Sequence, residues 1–258
     1  MTLPSLFVSH GAPTLILENG PTCAFLRRLG QELPRPDAVL AVSAHWETPR
    51  PALSAVPSPE TIHDFYGFPD ALYRMRYPAQ GSPGLADRAA ALLEASGIAA
   101  EIDKQRGLDH GAWVPLLLTY PDADVPTLQL SIQPQLGPAH HVAVGRALAP
   151  LREANVLVLA SGGAVHNLRA LRWNRSGSPE SWAQDFDDWL MQKIEGGALH
   201  DLVAYRTQAP GGVQSHPRDE HLLPLYVALG AGGDNAIGKR IHYGFEHGSL
   251  GMAAFSFS

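Results

Sequence analysis

Three histidines follow three short apolar runs in the same way. His10 ends "LFVSH" (6–10), His45 ends "VLAVSAH" (39–45), and His166 comes shortly after "VLVLAS" (156–161), past Gly162 and Gly163. Short apolar runs of this kind read as buried strands. In open α/β sheets, ligands gather just beyond the carboxyl ends of strands. Neutral imidazole is the commonest metal ligand and accepts iron, zinc or copper. Any one strand-end histidine is as well explained by a structural hydrogen bond. Three in equivalent positions point to a shared metal ion.

Other residues extend the set. His221 in "RDEHLLPLY" sits near the start of a predicted helix, and the adjacent Glu220 is an alternative carboxylate ligand. His216 and His221 do not share a helical face, and "HPRDEH" is not the H-E-x-x-H of zinc proteases. His110 in "GLDHGAWVP" suits either a helix-start hydrogen bond or proton transfer. His63, His242 and His247 read as loop histidines, and His140, His141 and His200 as structural ones. No G-x-S-x-G and no glycine-rich phosphate loop occurs. The single cysteine, Cys23, excludes an internal disulfide and a thiolate zinc cluster, and reads as a small buried residue.

The elements that must position these side chains alternate along the chain. Apolar patterning predicts strands at 5–9, 38–44, 52–56, 98–103, 127–132, 155–161 and 252–258. Helical spacing, with proline or serine starts and glycine stops, predicts helices at 23–33, 83–97, 111–121, 137–153, 178–197 and 217–232, the last kinked near Pro224. Buried strands alternating with helices imply a single-domain α/β/α sandwich over 1–258, with a central mixed, mostly parallel sheet. Residues 47–83 are rich in proline, glycine and aromatics, too long a stretch for an idle connection.

Bulk properties exclude some functions. The 258 residues carry a formal net charge of −6, which argues against a general nucleic-acid surface. No apolar window reaches the length of a membrane span, and the start lacks the pattern of a signal peptide. A soluble cytoplasmic protein is the expectation; oligomeric state is not legible.

The stretches "LFVSHGAP", "VSAHWET", "TIHDFYGFPDALYRMRYPAQGSP", "DHGAWVPLLLTYPDADVPTLQLSI", "ASGGAVHNLRALRW", "HPRDEHLLPLYVALGA" and "GSLGM" carry a resemblance. In order and content they resemble the DODA-type extradiol ring-opening dioxygenases of the LigB-like, class III extradiol group. The resemblance implies the LigB-like sandwich and one mononuclear non-haem metal, Fe(II) for activity, with Zn(II) able to occupy the site. It places His10, His45 and His221 at metal-binding positions and His166 at a further active-site position sometimes counted as a fourth ligand. It gives His110 and His166 acid–base roles. A small catechol and O2 are the implied partners, and a muconic semialdehyde the implied product. Many class III enzymes use two histidines and a glutamate, so His221 in the third position, with Glu220 beside it, departs from the wider class. The loop at 61–83 would line the substrate site, with Phe65, Tyr66, Phe68 and Tyr73 against the ring.

Two other readings compete. A zinc-dependent hydrolase would use the same histidines to activate water. A non-catalytic binding protein of the same fold would be expected to have lost them.

Overall fold

Period-two alternation in the strands explains the architecture. In the first strand, Leu6 and Val8 enter one apolar core while Phe7 enters another; Val39 and Ala41 oppose Leu40 and Val42 in the second. Both faces of the sheet are therefore apolar and both must be covered. The computed structural model describes residues 2–172 and 178–258. Trp173, the last residue of "ASGGAVHNLRALRW", lies outside them.

The strands are β1 (Ser5–Ser9), β2 (Ala38–Glu47), β3 (Ala52–Ser54), β4 (Glu101–Asp103), β5 (Thr127–Ile132), β6 (Val156–Gly162), β7 (Gly238–His242), β8 (Phe245–Glu246), β9 (Leu250–Gly251) and β10 (Ala254–Phe257). Eight form one sheet in the order β4-β3-β5-β2-β6-β1-β10-β7, and β8 pairs with β9 apart from it. The central β5-β2-β6-β1 block is parallel, while β3 runs antiparallel to β5, and β10 antiparallel to β1 and β7. Helices Pro21–Glu32 and His110–Thr119 supply one core. Helices Pro83–Ala95, Gly137–Leu148, Ser181–Glu195 and Leu223–Ala231 supply the other. The result is a mixed α/β/α sandwich. No helix among the described residues is long and apolar enough to cross a membrane.

Three departures from the expected elements bear on the site or its sheet. β2 does not stop before His45 but runs to Glu47, with a register shift against β5 between Val42 and Glu47. Such an irregularity re-aims side chains, and His45 sits inside it. The helix expected from 217 begins at Leu223. Pro224 lies in its first turn, where a missing N–H costs nothing, so it starts the helix instead of kinking it. Residues 217–222 are left as turns that carry His221. β7 was not expected: it lies at the sheet edge, and Lys239 and Arg240 interrupt any apolar run within it.

Candidate metal centre and active site

Parallel register brings the strand ends together. Ser9 of β1 faces Gly162 of β6, and Ser43 of β2 faces Ser161. His10 leaves β1 directly, and its backbone N–H donates to the Gly162 carbonyl (3.0 Å). The His221 turn packs on the same edge, with the Gly163 N–H donating to the His221 carbonyl at 2.9 Å. A Cβ at Gly162 would lie 2.0 Å from that carbonyl oxygen, so only glycine permits the approach.

Candidate ligand atoms of His10, His45 and His221 all lie within 4.8 Å of one another. His10 Nε2 and His45 Nε2 are 3.0 Å apart. The outward nitrogens have partners. His10 Nδ1 is 2.9 Å from Ser161 Oγ, His221 Nδ1 is 3.1 Å from Glu220 Oε1, and His45 Nδ1 is 3.6 Å from Asp64 Oδ2. With protons on these Nδ1 atoms, His10 and His45 present two facing lone pairs and no hydrogen to share between them. A cation resolves that conflict, and two nitrogens bound at about 2.1 Å to a common ion sit roughly 3–3.4 Å apart. Outward partners that set tautomer and ring direction are the usual support of metal-bound histidine. The residues present therefore fit a metal ion.

Electrostatics agree with this donor set. Burial first, then the neighbouring imidazoles, hold His10 and His221 well below the ordinary histidine value. Burial, then His110, brings His45 down to about 4. All three are neutral at neutral pH, the form that binds metal. Asp64 keeps its charge: burial pushes its carboxyl up, but contact with His110 outweighs this and brings it to about 2.

His110 is the first residue of its helix, and the preceding Asp109 caps it, accepting from Ala112 N. Asp109 is fully buried and also accepts from Ser43 Oγ (2.6 Å), Arg106 Nη2 (2.7 Å) and the Gln129 side-chain amide. This network fixes the helix start against β2. The His110 and His45 ring centroids lie 4.0 Å apart. A Cβ at Gly111 would fall 2.3 Å from Ser43 Oγ and 2.9 Å from His45 Cδ2. Gly111→Ala is expected to displace His45, lowering stability by about 1–3 kcal/mol and zinc affinity by roughly 10–100-fold. Urea denaturation and competitive zinc titration measure the two effects.

His166 stacks on His221, with centroids 3.4 Å apart and planes 8° from parallel. A ring nitrogen binds a metal in the plane of its ring. Ligand atoms of His166, Glu220 and His221 lie within 4.8 Å of one another, while the parallel stacking of the two rings does not aim their in-plane lone pairs at one point. Burial first brings His166 down to about 3. Glu220 stands behind His221, and its other oxygen lies 3.4 Å from Arg218 Nε. Arg218 in turn donates to both Glu47 oxygens (2.9 and 3.0 Å).

The five histidines 10, 45, 110, 166 and 221 line one cavity of about 260 Å³. Its apolar lining includes Pro13, Phe65, Phe68, Leu168, Leu171 and Leu250. An apolar cavity of about 150 Å³ already accepts benzene, so a substituted single ring is within its capacity. Of the four aromatics expected here, Phe65 and Phe68 line it. Tyr66 is 90 % exposed, whereas the adjacent Phe65 is buried. Tyr73 packs under the loop, its hydroxyl 3.4 Å from the Phe65 carbonyl and the Phe68 N–H.

His247, expected only as a loop histidine, and two residues not singled out by the sequence complete the surroundings. His247 lines the cavity, and Asp64 and Ser161 back the imidazoles. Ser161 sits at the end of an apolar strand, a position that could have drawn attention. Asp64 had no comparable signal. Among the histidines set aside, His141 bonds the Gly137 carbonyl (2.7 Å), and His242 stacks on Phe25 with centroids 4.6 Å apart.

Residues 5–256 match the family described as the catalytic LigB subunit of aromatic ring-opening dioxygenase. The chain belongs to this family. It is 41 % identical over 258 residues to 4,5-DOPA dioxygenase extradiol of Beta vulgaris, a match covering 98 % of this chain and 96 % of that one. It is 44 % identical over 255 residues to 4,5-DOPA dioxygenase extradiol of Escherichia coli K12, covering 97 % and 93 %. The crystal structure of an uncharacterised Escherichia coli K12 protein superposes with a TM-score of 0.84 at 38 % identity, covering 99 % of this chain and all of that one. The family acts on small aromatic substrates with O2 and uses a metal ion.

Proposed function

We propose that the chain opens a catechol beside its two hydroxyls, inserting both atoms of dioxygen to give a muconic semialdehyde-type product. The observation that carries this reading to the chain's own residues is the convergence of His10, His45, His110, His166 and His221, with His247 also lining the wall, on one largely apolar cavity. 3,4-Dihydroxyphenylalanine or a related catechol is the proposed substrate, because relatives at 41–44 % identity bear the name 4,5-DOPA dioxygenase extradiol.

His10, His45 and His221 would hold the metal, Fe(II) for turnover, with zinc able to use the same imidazoles. The ion would act as Lewis acid and electron conduit between catechol and dioxygen. The remaining roles fall to the protein. Phe65 and Phe68 hold the flat ring and exclude water. His110 Nε2 takes a proton from a catechol hydroxyl, its Nδ1 side being held by Asp64. The proton taken up by His110 is passed back by way of His166, beside the three-histidine set, as the O–O bond breaks. Histidine suits such a relay because one ring nitrogen can accept a proton while the other releases one.

The test is reconstitution with Fe(II) under anaerobic conditions, then addition of oxygen and a catechol panel. Oxygen uptake matched by a yellow ring-opened product is expected. No uptake with any catechol, together with ester or amide cleavage by the zinc form, overturns the proposal in favour of a hydrolase.

A further inference from the structure

We propose that Asp64 is a positioning residue whose carboxylate sets the ring direction and tautomer of His110 while bracing the outer side of His45. The inference rests on the proton-transfer role given to His110 above.

Asp64 lies in "HDFYGFP" (63–69), on the loop that also brings Phe65 and Phe68 to the cavity. Its Oδ1 accepts from the His110 backbone N–H at 2.9 Å and lies 3.0 Å from His110 Nδ1. Its Oδ2 lies 3.6 Å from His45 Nδ1. One carboxylate thus spans the proposed base and one of the three proposed ligands. The backbone bond makes the arrangement firm. The N–H groups of a helix's first turn have no partner within the helix, and Asp64 supplies one from 46 residues earlier. The oxygen that holds the His110 main chain also stands beside its ring nitrogen. The Nδ1 contact is close but not aligned along an N–H···O line, and catalytic hydrogen bonds of this kind commonly tighten once substrate is in place.

The chemical consequence follows from which nitrogen holds the hydrogen. A carboxylate beside Nδ1 keeps the proton there and leaves the Nε2 lone pair free. Nε2 then accepts the proton released when a catechol O–H ionises, and Asp64 stands beside the imidazolium that forms. The same logic orients the histidine of serine-protease triads. A cap acting only on the helix would need the backbone bond and nothing near Nδ1. A metal ligand would need an oxygen turned to the inward Nε2 atoms, whereas Asp64 approaches His45 from its Nδ1 side.

The full chain carrying Asp64→Asn tests this, with Asp64→Glu as the second variant. Asn retains an oxygen for the His110 N–H, so the helix start is kept. Zinc-loaded protein, being diamagnetic, is read by long-range proton–nitrogen NMR of the histidine rings. The expected result is His110 with its hydrogen on Nδ1 in the parent and on Nε2, or divided, in Asp64→Asn. At saturating zinc both variants bind one ion per chain, with affinity lowered by no more than about 10–100-fold in Asp64→Asn, as for loss of an outer partner of His45. In the Fe(II) form kcat falls about 10²–10⁴-fold with KM for the catechol nearly unchanged, and Asp64→Glu recovers part of the loss. An unchanged His110 tautomer, or an unchanged kcat, overturns the proposal and leaves Asp64 a helix cap. A loss of zinc affinity well beyond about 100-fold in Asp64→Asn overturns it by making Asp64 a ligand. If the parent turns over no catechol, the functional reading fails, yet the NMR comparison still decides what Asp64 does.

Discussion

His45→Ala is expected to fold and to lose stoichiometric metal. The Asp109 network that holds the β2 edge uses Ser43, Arg106 and Gln129 and does not depend on the His45 ring. The fold therefore has no reason to collapse. The metal set does: His45 Nε2 faces His10 Nε2 at 3.0 Å and is one of three converging donors. Losing an outer partner of a metal ligand typically lowers affinity about 10–100-fold, and losing the ligand itself should exceed that. Dialysis followed by elemental analysis should find His45→Ala and His10→Ala depleted, with oxygen uptake on catechols at background. Full metal occupancy in both variants would refute the three-histidine assignment.

His110→Ala should behave in the opposite way, keeping metal and losing rate. Its ring lies close to the set but its Nδ1 is engaged by Asp64, and it is not needed to complete the three-donor group. Loss of one acid–base group typically costs about 10²–10⁴-fold in rate. Oxygen-uptake kinetics on Fe(II)-loaded protein should show that fall in kcat beside parent-level metal content. His166→Ala separates the two steps. Removal of the base slows consumption of the catechol, whereas removal of the acid should slow a later step and leave the first proton transfer intact. Rapid-mixing absorbance of the catechol band distinguishes them. If His166→Ala instead loses metal, the stacking argument against a fourth ligand fails.

The sequence carried the strand-end histidines well because their signal is local. A buried apolar run ending in histidine is visible within a short window, and the parallel sheet does the rest by aligning Ser9 with Gly162 and Ser43 with Ser161. His221 was visible as a residue type but not in its setting. Its turn looks helical by composition, and only Pro224 in the first turn of the observed helix shows where that helix begins. Asp64 was invisible because nothing periodic surrounds it and its partner is 46 residues away. Tyr66 and Phe65 are adjacent and similar in type, yet one is 90 % and the other 5 % exposed. No pattern within an irregular loop separates two such neighbours. β7 escaped notice because an edge strand needs no continuous apolar run.

The sheet places His10 on a strand whose other neighbour is made far later. β1 is flanked by β6 on one side and by β10 on the other, and Ser9 Oγ donates to the carbonyl of Ala253, 244 residues further on. The third proposed ligand, His221, also comes late in the order of synthesis. A growing polypeptide thus carries its first two histidines through most of translation with no enclosed place for an ion. Long-range pairing of this kind is slow to form. On the three-histidine assignment, metal capture is expected late, and a chain truncated before β10 is expected to retain no stoichiometric zinc after dialysis.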